Sequence, residues 1–587
     1  MESTWDLSVF YQSFSDPALL ADIQAIKAMT AEGNALLAAE LPLQEKLERI
    51  IAHLEALSNK LSRAFLYCQL TLAVEAENRE AFRTLEELSA LSVDAQVLRS
   101  ACTRFIGELD DLESLIAGSA KLTANAFILR EARQEAKHML PESMEKWMLR
   151  MSLSGGDSFQ KLRDQLMGTL TVDFQGNSLP LPAIRGKAFD PDAAVRKAAY
   201  EAELAAYPKV ALPMAFCLGG IKGEALTLCE ARNYPDVLTQ QLAESRMDHE
   251  TLDAMLTAIR EALPDFRRYL KAKATLLGHA DGLPFYDLFA PVGDDVQTYT
   301  IEEARALIAD AFGKAHPAMA AFMDQAFENR WIDLYPREGK EGGAFCSENH
   351  ELGISRIMTN FVGSYGDVST LAHELGHAWH ARCLESAPIL MAQPPMPLAE
   401  TASTFNETLL AQTVLETANP QRAFSMLESS LVEATQCCVD ILSRYLFESA
   451  VFEARKTHTP TVEELRQMML AAQDEAYGDG LAADTRHADM WINKGHYYTV
   501  GLHFYNFPYA FGLLFGLGVF QRYRKEGKAF LPQYDALLAR CGSDTVANVA
   551  ASIGIDVRSV DYWRSALDVV RGEIDEFVTL AQKQAAR

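Results

Sequence analysis

The first 170 residues follow an almost uninterrupted helical pattern, and this periodicity constrains the fold more than any other feature of the sequence. Apolar residues recur at intervals of three and four in three long stretches, at 17–40, 43–74 and 79–116. The alternation of apolar and polar residues that is typical of strands is nearly absent there. Because amphipathic helices bury their apolar faces against one another, the pattern predicts a mainly α-helical fold.

The domain organisation is indicated by length and by a change in composition. The chain has 587 residues, more than one compact core normally holds. Gly, Pro, Asp and Asn gather between residues 152 and 193, as is common in linkers and loops. We therefore predict an N-terminal helical domain at 1–190 and a second, larger domain at 191–587.

Composition argues against two classes of partner. The net charge of −26 disfavours nucleic acid, since phosphate binding needs a basic surface. The apolar stretch at 507–520 is too short to span a bilayer, and we expect it to form a buried helix.

The N-terminus has no basic segment followed by an apolar one, and the nine cysteines are scattered. We expect a cytoplasmic protein, and the sequence leaves a monomer or a homo-oligomer open.

A possible metal site lies in the stretch "STLAHELGHAWHARC" (369–383). On a helix, His373 and His377 lie on the same face, so both imidazoles can bind one ion, and zinc suits such ligands at about 2.0–2.1 Å. Glu374 could then take a proton from a zinc-activated water. Residues 342–364 include short strand-like runs, and we expect Asp367 to cap the helix that follows.

The third ligand is not a histidine at the metzincin spacing. That pattern requires a glycine and then a histidine, but His380 and Cys383 occupy those positions. His380 shares the face of His373, so it either contacts the metal or substrate or simply packs. Glu385 lies too far along the same helix.

A carboxylate from the next helix is the better candidate for the third ligand. Pro397 is predicted to open that helix, with Glu400 in its first turn. Two histidines and one glutamate would leave an open coordination position. Glu407 lies two turns farther on, where it either orients a ligand histidine through its other nitrogen or is solvated.

The stretch "TNFVGSYGDVSTLAHELGHAWH" (359–380), followed by "AETASTFNE" (399–407), resembles the thimet oligopeptidase and oligoendopeptidase F family of zinc metallopeptidases. The likeness is strongest to the oligoendopeptidase F branch. Three further blocks occur in the family's order: "WDLSVFYQS" (5–13), "GKEGGAFCS" (339–347) and "WINKGHYYTVGLHFYNFPYAFG" (491–512). Together they are far more specific than the five-residue motif.

The resemblance implies a role for each matching residue. One zinc ion would be held by His373, His377 and Glu400, and Glu374 would be the general base and acid. A peptide substrate would pair as an added strand with the backbone of the segment Gly342, Gly343 and Ala344.

The late block would supply hydrogen-bond donors to the oxyanion of the reaction. His496 or His503 could be the histidine of the family, and the spacing to Tyr505 and Tyr509 favours His496. His503 and Tyr498 would then contact the substrate. The chain departs from some family members, which have tyrosines where Phe511 and Leu513 stand here, so the choice among the hydroxyls stays open.

The resemblance implies a zinc-dependent endopeptidase that hydrolyses internal bonds of short, unfolded oligopeptides. The expected fold is a large two-part helical structure, with a deep substrate channel and a small β-sheet next to the zinc-binding helix.

A helical zinc carboxypeptidase or dipeptidyl carboxypeptidase is the first alternative function. It needs a cation for the substrate's C-terminus, and no Arg or Lys in the motif blocks stands out. A catalytically inactive peptide-binding scaffold is the second, and the intact Glu374 and ligand set speak against it.

Overall fold

The computed structural model describes residues 3–293 and 297–585, and helices account for most of them. The mainly α-helical class predicted from the sequence is confirmed. The helices before residue 140 are α1 (Pro17–Ala38), α2 (Leu43–Val74), α3 (Arg79–Gly107), α4 (Leu112–Ala117), α5 (Ala120–Ala124) and α6 (Ala126–Glu135). Those between 140 and 293 are α7 (Glu142–Ser152), α8 (Gly156–Thr169), α9 (Leu181–Arg185), α10 (Ala193–Ala206), α11 (Ala211–Ala231), α12 (Val237–Glu244) and α13 (His249–Leu276).

The second half of the chain is also mainly helical. Its helices up to residue 416 are α14 (Ile301–Ala315), α15 (Pro317–Glu328), α16 (Tyr365–Leu384), α17 (Met396–Ala399) and α18 (Thr401–Leu415). The remaining helices are α19 (Pro420–Thr435), α20 (Ile441–Arg455), α21 (Val462–Tyr477), α22 (Met490–Asn493), α23 (Phe507–Glu526), α24 (Leu531–Arg540), α25 (Val546–Ala551) and α26 (Val560–Ala585). The strands are β1 (Thr171–Phe174), β2 (Asn177–Pro180), β3 (Ile332–Asp333), β4 (Phe345–Asn349) and β5 (Ile354–Met358).

The chain forms two compact units, each assembled from three separate stretches. Unit 1 comprises Met1–Met139, Gln297–Glu416 and Val519–Ile553. Unit 2 comprises Leu140–Val296, Thr417–Gly518 and Gly554–Arg587. The division of the chain into an N-terminal domain at 1–190 and a second domain at 191–587 stays a prediction.

The three long N-terminal helices build one apolar core of unit 1. The stretches with helical periodicity correspond to α1, α2 and α3, although the third stretch is interrupted after Gly107 and resumes as α4. Their apolar faces share a buried cluster that includes Leu19, Leu57 and Leu98, and Met358 of β5 packs into the same cluster. Burial of these faces is the main source of helix stability, because isolated helices are only marginally stable in water.

A three-stranded sheet supports the motif helix in unit 1. Its strand order is β3-β5-β4, with β3 parallel and β4 antiparallel to the central β5. Cys346 of β4 lies opposite Ile357 of β5. Both β4 and β5 pack against α16, so the predicted small sheet next to the motif helix is confirmed.

The start of α16 differs from the expected one. The N-cap residue is Ser364, not Asp367, and the helix begins at Tyr365. The two side chains form a reciprocal capping box, in which the Ser364 amide donates to Asp367 Oδ2 (2.9 Å) and the Asp367 amide donates to Ser364 Oγ (3.1 Å). The prediction of Asp367 as the N-cap is wrong because the carboxylate reaches back from the third helical position.

Unit 2 is built around α13 and α26, which pack along each other, and around an apolar cluster beneath α11 and α20. Trp491, Tyr497 and Tyr498 are buried in this cluster. The apolar stretch at 507–520 lies in α23 and is largely buried, as predicted.

One of the described helices, α11, has the length and composition to cross a membrane. Half of its most apolar 18-residue window is buried within the protein. A single helix of this kind is a weak indication of a membrane span, because core helices of folded domains meet the same criteria.

Candidate active site

Two histidines and one glutamate converge in unit 1. His373 and His377 lie one turn apart on α16, and their Nε2 atoms are 3.1 Å apart. Glu400 Oε2 lies 3.3 Å from His373 Nε2 and 3.4 Å from His377 Nε2. Each of the three side chains is about a quarter exposed. The structure thus brings together the three residues that the sequence suggests as metal ligands.

The separations match what one tetrahedral ion requires. Zinc–ligand distances of about 2.0–2.2 Å in a tetrahedral site place neighbouring donor atoms roughly 3.3–3.6 Å apart. The three observed separations, from 3.1 to 3.4 Å, are close to this value. Two imidazoles and one carboxylate are also the donor set of catalytic zinc sites with an open position. The residues present therefore fit zinc.

Glu400 occupies a different local position from the one expected. The short helix α17 ends at Ala399, and Glu400 stands at the break before α18, with φ −85° and ψ 1°. It is therefore not in the first turn of a helix that begins at Pro397. The Ser403 hydroxyl donates to Glu400 Oε2 at 2.8 Å, and this bond orients the carboxylate toward the histidines.

Glu407 lies on the other side of the first imidazole. Its Oε2 is 3.4 Å from His373 Nδ1, the nitrogen that does not face Glu400. Burial by itself would lower the pKa of His373, but the two carboxylates outweigh it and raise the pKa to about 11. Burial lowers the pKa of His377 to about 4. A metal ion must displace the proton held on His373, so binding should release a proton.

The burial and the pKa of Glu374 suit the general base predicted from the sequence. It is only 6% exposed on α16, and its carboxylate is not one of the converging ligand atoms. Burial raises the pKa of its carboxyl to about 7, and the negative charges of Glu400 and Glu407 act in the same direction, whereas His373 opposes them. A pKa close to the working pH is what general acid–base catalysis favours.

The other two residues weighed on the motif helix lie elsewhere. His380 is buried, and burial lowers its pKa to about 4. It does not belong to the group of three ligand atoms found among the described residues. Glu385 lies at the C-terminal end of α16, where it pairs with Arg382. The His380 Nε2 atom is buried and has no hydrogen-bond partner among the described residues, and the choice between packing and a contact with metal or substrate stays a prediction.

The glycine segment precedes an edge strand. Gly342, Gly343 and Ala344 lead directly into β4, which is the outer strand of the sheet. A Cβ atom at either glycine would meet no described atom within 4 Å, and Gly343 has a φ of +87° that favours glycine. Its carbonyl accepts a hydrogen bond from Asn360 Nδ2 (2.9 Å). An edge strand with open space beside its start can accept an extended peptide.

His496 is held neutral within unit 2. Its Nε2 atom is buried and has no hydrogen-bond partner among the described residues. Burial, aided by the positive charges of Arg444, Lys222 and Lys494, lowers the pKa of His496 to about 3. At neutral pH the imidazole is therefore uncharged, and its remaining N–H can donate one hydrogen bond.

The tyrosines predicted to act with His496 differ in exposure. The rings of Tyr505 and Tyr509 meet edge to face at 5.5 Å, and Tyr509 is 39% exposed. Phe511 packs against Phe515 and Trp563 and is a core residue.

His503 and Tyr498 are both buried. The Tyr498 hydroxyl donates to the Trp491 carbonyl (3.3 Å), and His503 Nδ1 accepts from Lys222 Nζ (3.1 Å). Contact with a peptide would require these two side chains to become exposed, and their roles stay predictions. Because His503 is engaged by Lys222, the geometry leaves His496 as the freer imidazole.

The sequence model of Peptidase family M3 matches residues 188–569, well over half of the chain. The chain belongs to peptidase family M3. A second family model, described as Oligopeptidase F, matches residues 108–171. The resemblance to oligoendopeptidase F is thereby confirmed, and so is the prediction that the chain is a peptidase.

Relatives of this M3 peptidase match along nearly its whole length. Oligopeptidase PepF of Bacillus subtilis is 23% identical over 99% of this chain and 88% of its own. A solved structure from Chlamydophila abortus has a TM-score of 0.85 at 23% identity and covers 98% of both chains. The structure of oligoendopeptidase-F from Enterococcus faecium has a TM-score of 0.70 at 18% identity, covering 96% of this chain and 98% of that one. These structural likenesses show that the fold is shared.

Two residues of the M3 peptidase site escaped the sequence reasoning. Ser403 follows Glu400 by three residues, a helical spacing that could have suggested the contact. Gly376 lies inside the motif, where α16 packs against α18. A Cβ atom built on it would lie 2.6 Å from the Ser403 Cα and 2.7 Å from the Ala402 carbonyl oxygen. Only glycine lets the helix pair come close enough for Glu400 to reach the histidines.

Substitution of Gly376 by alanine is expected to separate the two helices. The clash is with backbone atoms, so it should lower the free energy of unfolding by about 1–3 kcal/mol and weaken zinc binding. Urea unfolding and a zinc titration measure the two effects. Gly366→Ala is the matched control on the same helix, because its Cβ would only touch Ser364 Oγ at 3.5 Å. Equal behaviour of the two variants would contradict the packing argument.

Proposed function

We propose that this M3 peptidase is a zinc-dependent endopeptidase that hydrolyses internal bonds of short oligopeptides. The observation that carries the proposal is the convergence of His373, His377 and Glu400 at zinc-compatible separations, with the buried Glu374 adjacent in sequence. One zinc ion per chain is assigned to these three ligands. When bound, zinc supplies a Lewis acid that activates water and polarises the peptide carbonyl.

The protein's own residues then carry the proton transfers. Glu374 accepts a proton from the attacking water and delivers it to the leaving amine, which requires a pKa near neutrality. Glu407 holds the imidazole of His373 in orientation through Nδ1, as carboxylates behind metal-binding histidines commonly do.

Substrate binding and oxyanion stabilisation are assigned to two further groups. The backbone of the segment from Gly342 to Ala344 would pair with an extended peptide along the edge of the sheet. Donors to the oxyanion are proposed from the late block: the neutral imidazole of His496 and the hydroxyls of Tyr505 and Tyr509.

The class of substrate rests on the relatives. The names oligopeptidase and oligoendopeptidase-F, given to the proteins from Bacillus subtilis and Enterococcus faecium, support short peptides as substrates. Backbone hydrogen bonds are nearly independent of the side chains of the peptide, so we expect broad sequence specificity. The acidic chain and its scattered cysteines support a cytoplasmic enzyme that acts on neither nucleic acid nor membranes.

A cleavage map of a mixed peptide library tests the proposal. The full chain is incubated with peptides that have free or amidated C-termini, with and without a chelator, and products are identified by mass spectrometry. We expect internal cleavage of both kinds of peptide, loss of cleavage with chelator, and recovery on addition of zinc. Removal of residues from free C-termini alone would favour a carboxypeptidase, and full activity after exhaustive metal removal would exclude the mechanism.

A further inference from the structure

Residues 491–497 of unit 2 contain an unusual number of buried polar atoms with no hydrogen-bond partner among the described residues. Within that stretch these atoms are Trp491 Nε1, Asn493 Oδ1, His496 Nε2 and Tyr497 Oη. Arg444 Nε and Asp440 Oδ2, of the neighbouring α20 and the turn before it, also have no hydrogen-bond partner among the described residues. Folded proteins pair nearly all such atoms, so each exception needs a physical explanation. Most of these atoms are donors, which indicates a site for an acceptor.

The same region carries one positive charge in excess. Four of its five cations pair with carboxylates: Arg163 with Asp164, Arg185 with Glu203, Lys222 with Glu448, and Arg444 with Asp440. The remaining cation is Lys494, whose side chain is partly buried, and the described residues offer it no carboxylate oxygen within 4.0 Å. In a chain with a net charge of −26, an unpaired cation in such a place is unexpected.

Lys494 nevertheless stays mostly charged at neutral pH. Burial lowers the pKa of its ammonium to about 8; the positive charges of Arg444 and Arg185 add to this effect, whereas Asp440 opposes it. An ammonium that is costly to bury is stabilised when an anion binds beside it.

The backbone that leads to Arg444 is also irregular. The turn Gln436–Asp440 between α19 and α20 is π-helical, and it leads directly into the turn of α20 that carries Arg444. Such turns are rare, and they frequently occur at functional sites. The Arg444 guanidinium pairs with Asp440 but keeps its Nε–H unused.

We infer that Lys494, together with Arg444, forms a subsite next to His496 that binds a carboxylate of the peptide substrate. A carboxylate accepts hydrogen bonds and carries one negative charge, so it matches the unused Nε–H of Arg444 and the excess positive charge of Lys494. The carboxylate belongs either to the C-terminus of the peptide or to an aspartate or glutamate side chain. The inference rests on the proposed peptidase function and adds a cation that the sequence analysis did not find.

Matched peptides test the subsite in the full-length, zinc-loaded enzyme. One cleavable sequence is prepared with a free C-terminus, with an amidated C-terminus, and amidated with a glutamate on the C-terminal side of the cleaved bond. We expect the wild-type enzyme to prefer one carboxylate-bearing form to the neutral form about tenfold in kcat/KM, mainly through KM. The preferred form identifies the source of the carboxylate.

Three variants assign the preference to the lysine. Lys494→Met should bring the three peptides to similar kcat/KM values, and Lys494→Arg should keep the preference because the charge remains. Lys197→Met, which removes an exposed charge from the same unit, should behave like wild type. Equal values in wild type, or a preference that survives Lys494→Met, would overturn the subsite alone. Hydrolysis of none of the peptides would overturn the proposed function and the subsite with it.

Discussion

Replacement of Glu374 by glutamine is expected to lower kcat on the order of 1,000-fold while the enzyme keeps its zinc. Glutamine has the size of glutamate but cannot take a proton from the attacking water. Because the Glu374 carboxylate is not among the converging ligand atoms, its loss should leave the metal site intact. The side chain is buried, so bulk water has little room to supply a substitute base.

Two measurements on the same preparation of Glu374→Gln test whether activity is lost while zinc is kept. Peptide hydrolysis gives kcat, and elemental analysis gives the zinc content per chain. Glu385→Gln is the control, since Glu385 lies at the C-terminal end of the same helix and pairs with Arg382. It should keep both zinc and activity. Turnover in Glu374→Gln within a few-fold of wild type would mean that another group acts as the base.

The pair of histidines was predictable because it depends only on local geometry. Any helix places residues four apart on the same face, so His373 and His377 needed no knowledge of the rest of the fold. The capping of that helix was only half predictable. Ser364 and Asp367 are both good capping residues three apart, and a reciprocal capping box uses both.

Glu400 was identified correctly as a neighbour of the histidines, but not in its local conformation. The sequence around Pro397 favours a helix start, yet the chain breaks after Ala399 and begins a new helix at Thr401. Glu400 reaches the histidines because α18 packs closely on α16, and the absence of a side chain at Gly376 permits that close packing. A contact between elements of this kind leaves no local sequence signal.

The subsite formed by Lys494 and Arg444 in unit 2 could not be predicted for a similar reason. A lysine is notable only when its neighbours fail to neutralise it, and the neighbours come from distant parts of the chain. Lys222, for example, finds its partner Glu448 more than 200 residues away. The sequence shows Lys494 in a motif block but not that it lacks such a partner.

Removal of the Glu400 side chain is the second change with a large expected effect. Glu400→Ala should weaken zinc binding at least about 100-fold and abolish peptide hydrolysis at zinc concentrations that saturate the wild type. Only two imidazoles would remain, and the negative charge that balances the ion would be lost. Dialysis against buffered zinc followed by elemental analysis measures the affinity.

Thermal unfolding provides an independent readout for the same variant, since an ion that binds only the folded state raises Tm. The wild-type enzyme should gain thermal stability on addition of zinc, whereas Glu400→Ala should not. Glu416→Ala is the matched control, because Glu416 directly follows the last residue of α18 and lies on the surface. A stoichiometric zinc ion in Glu400→Ala, with the same zinc-dependent rise in Tm as in Glu416→Ala, would show that the metal is held by a different set of residues.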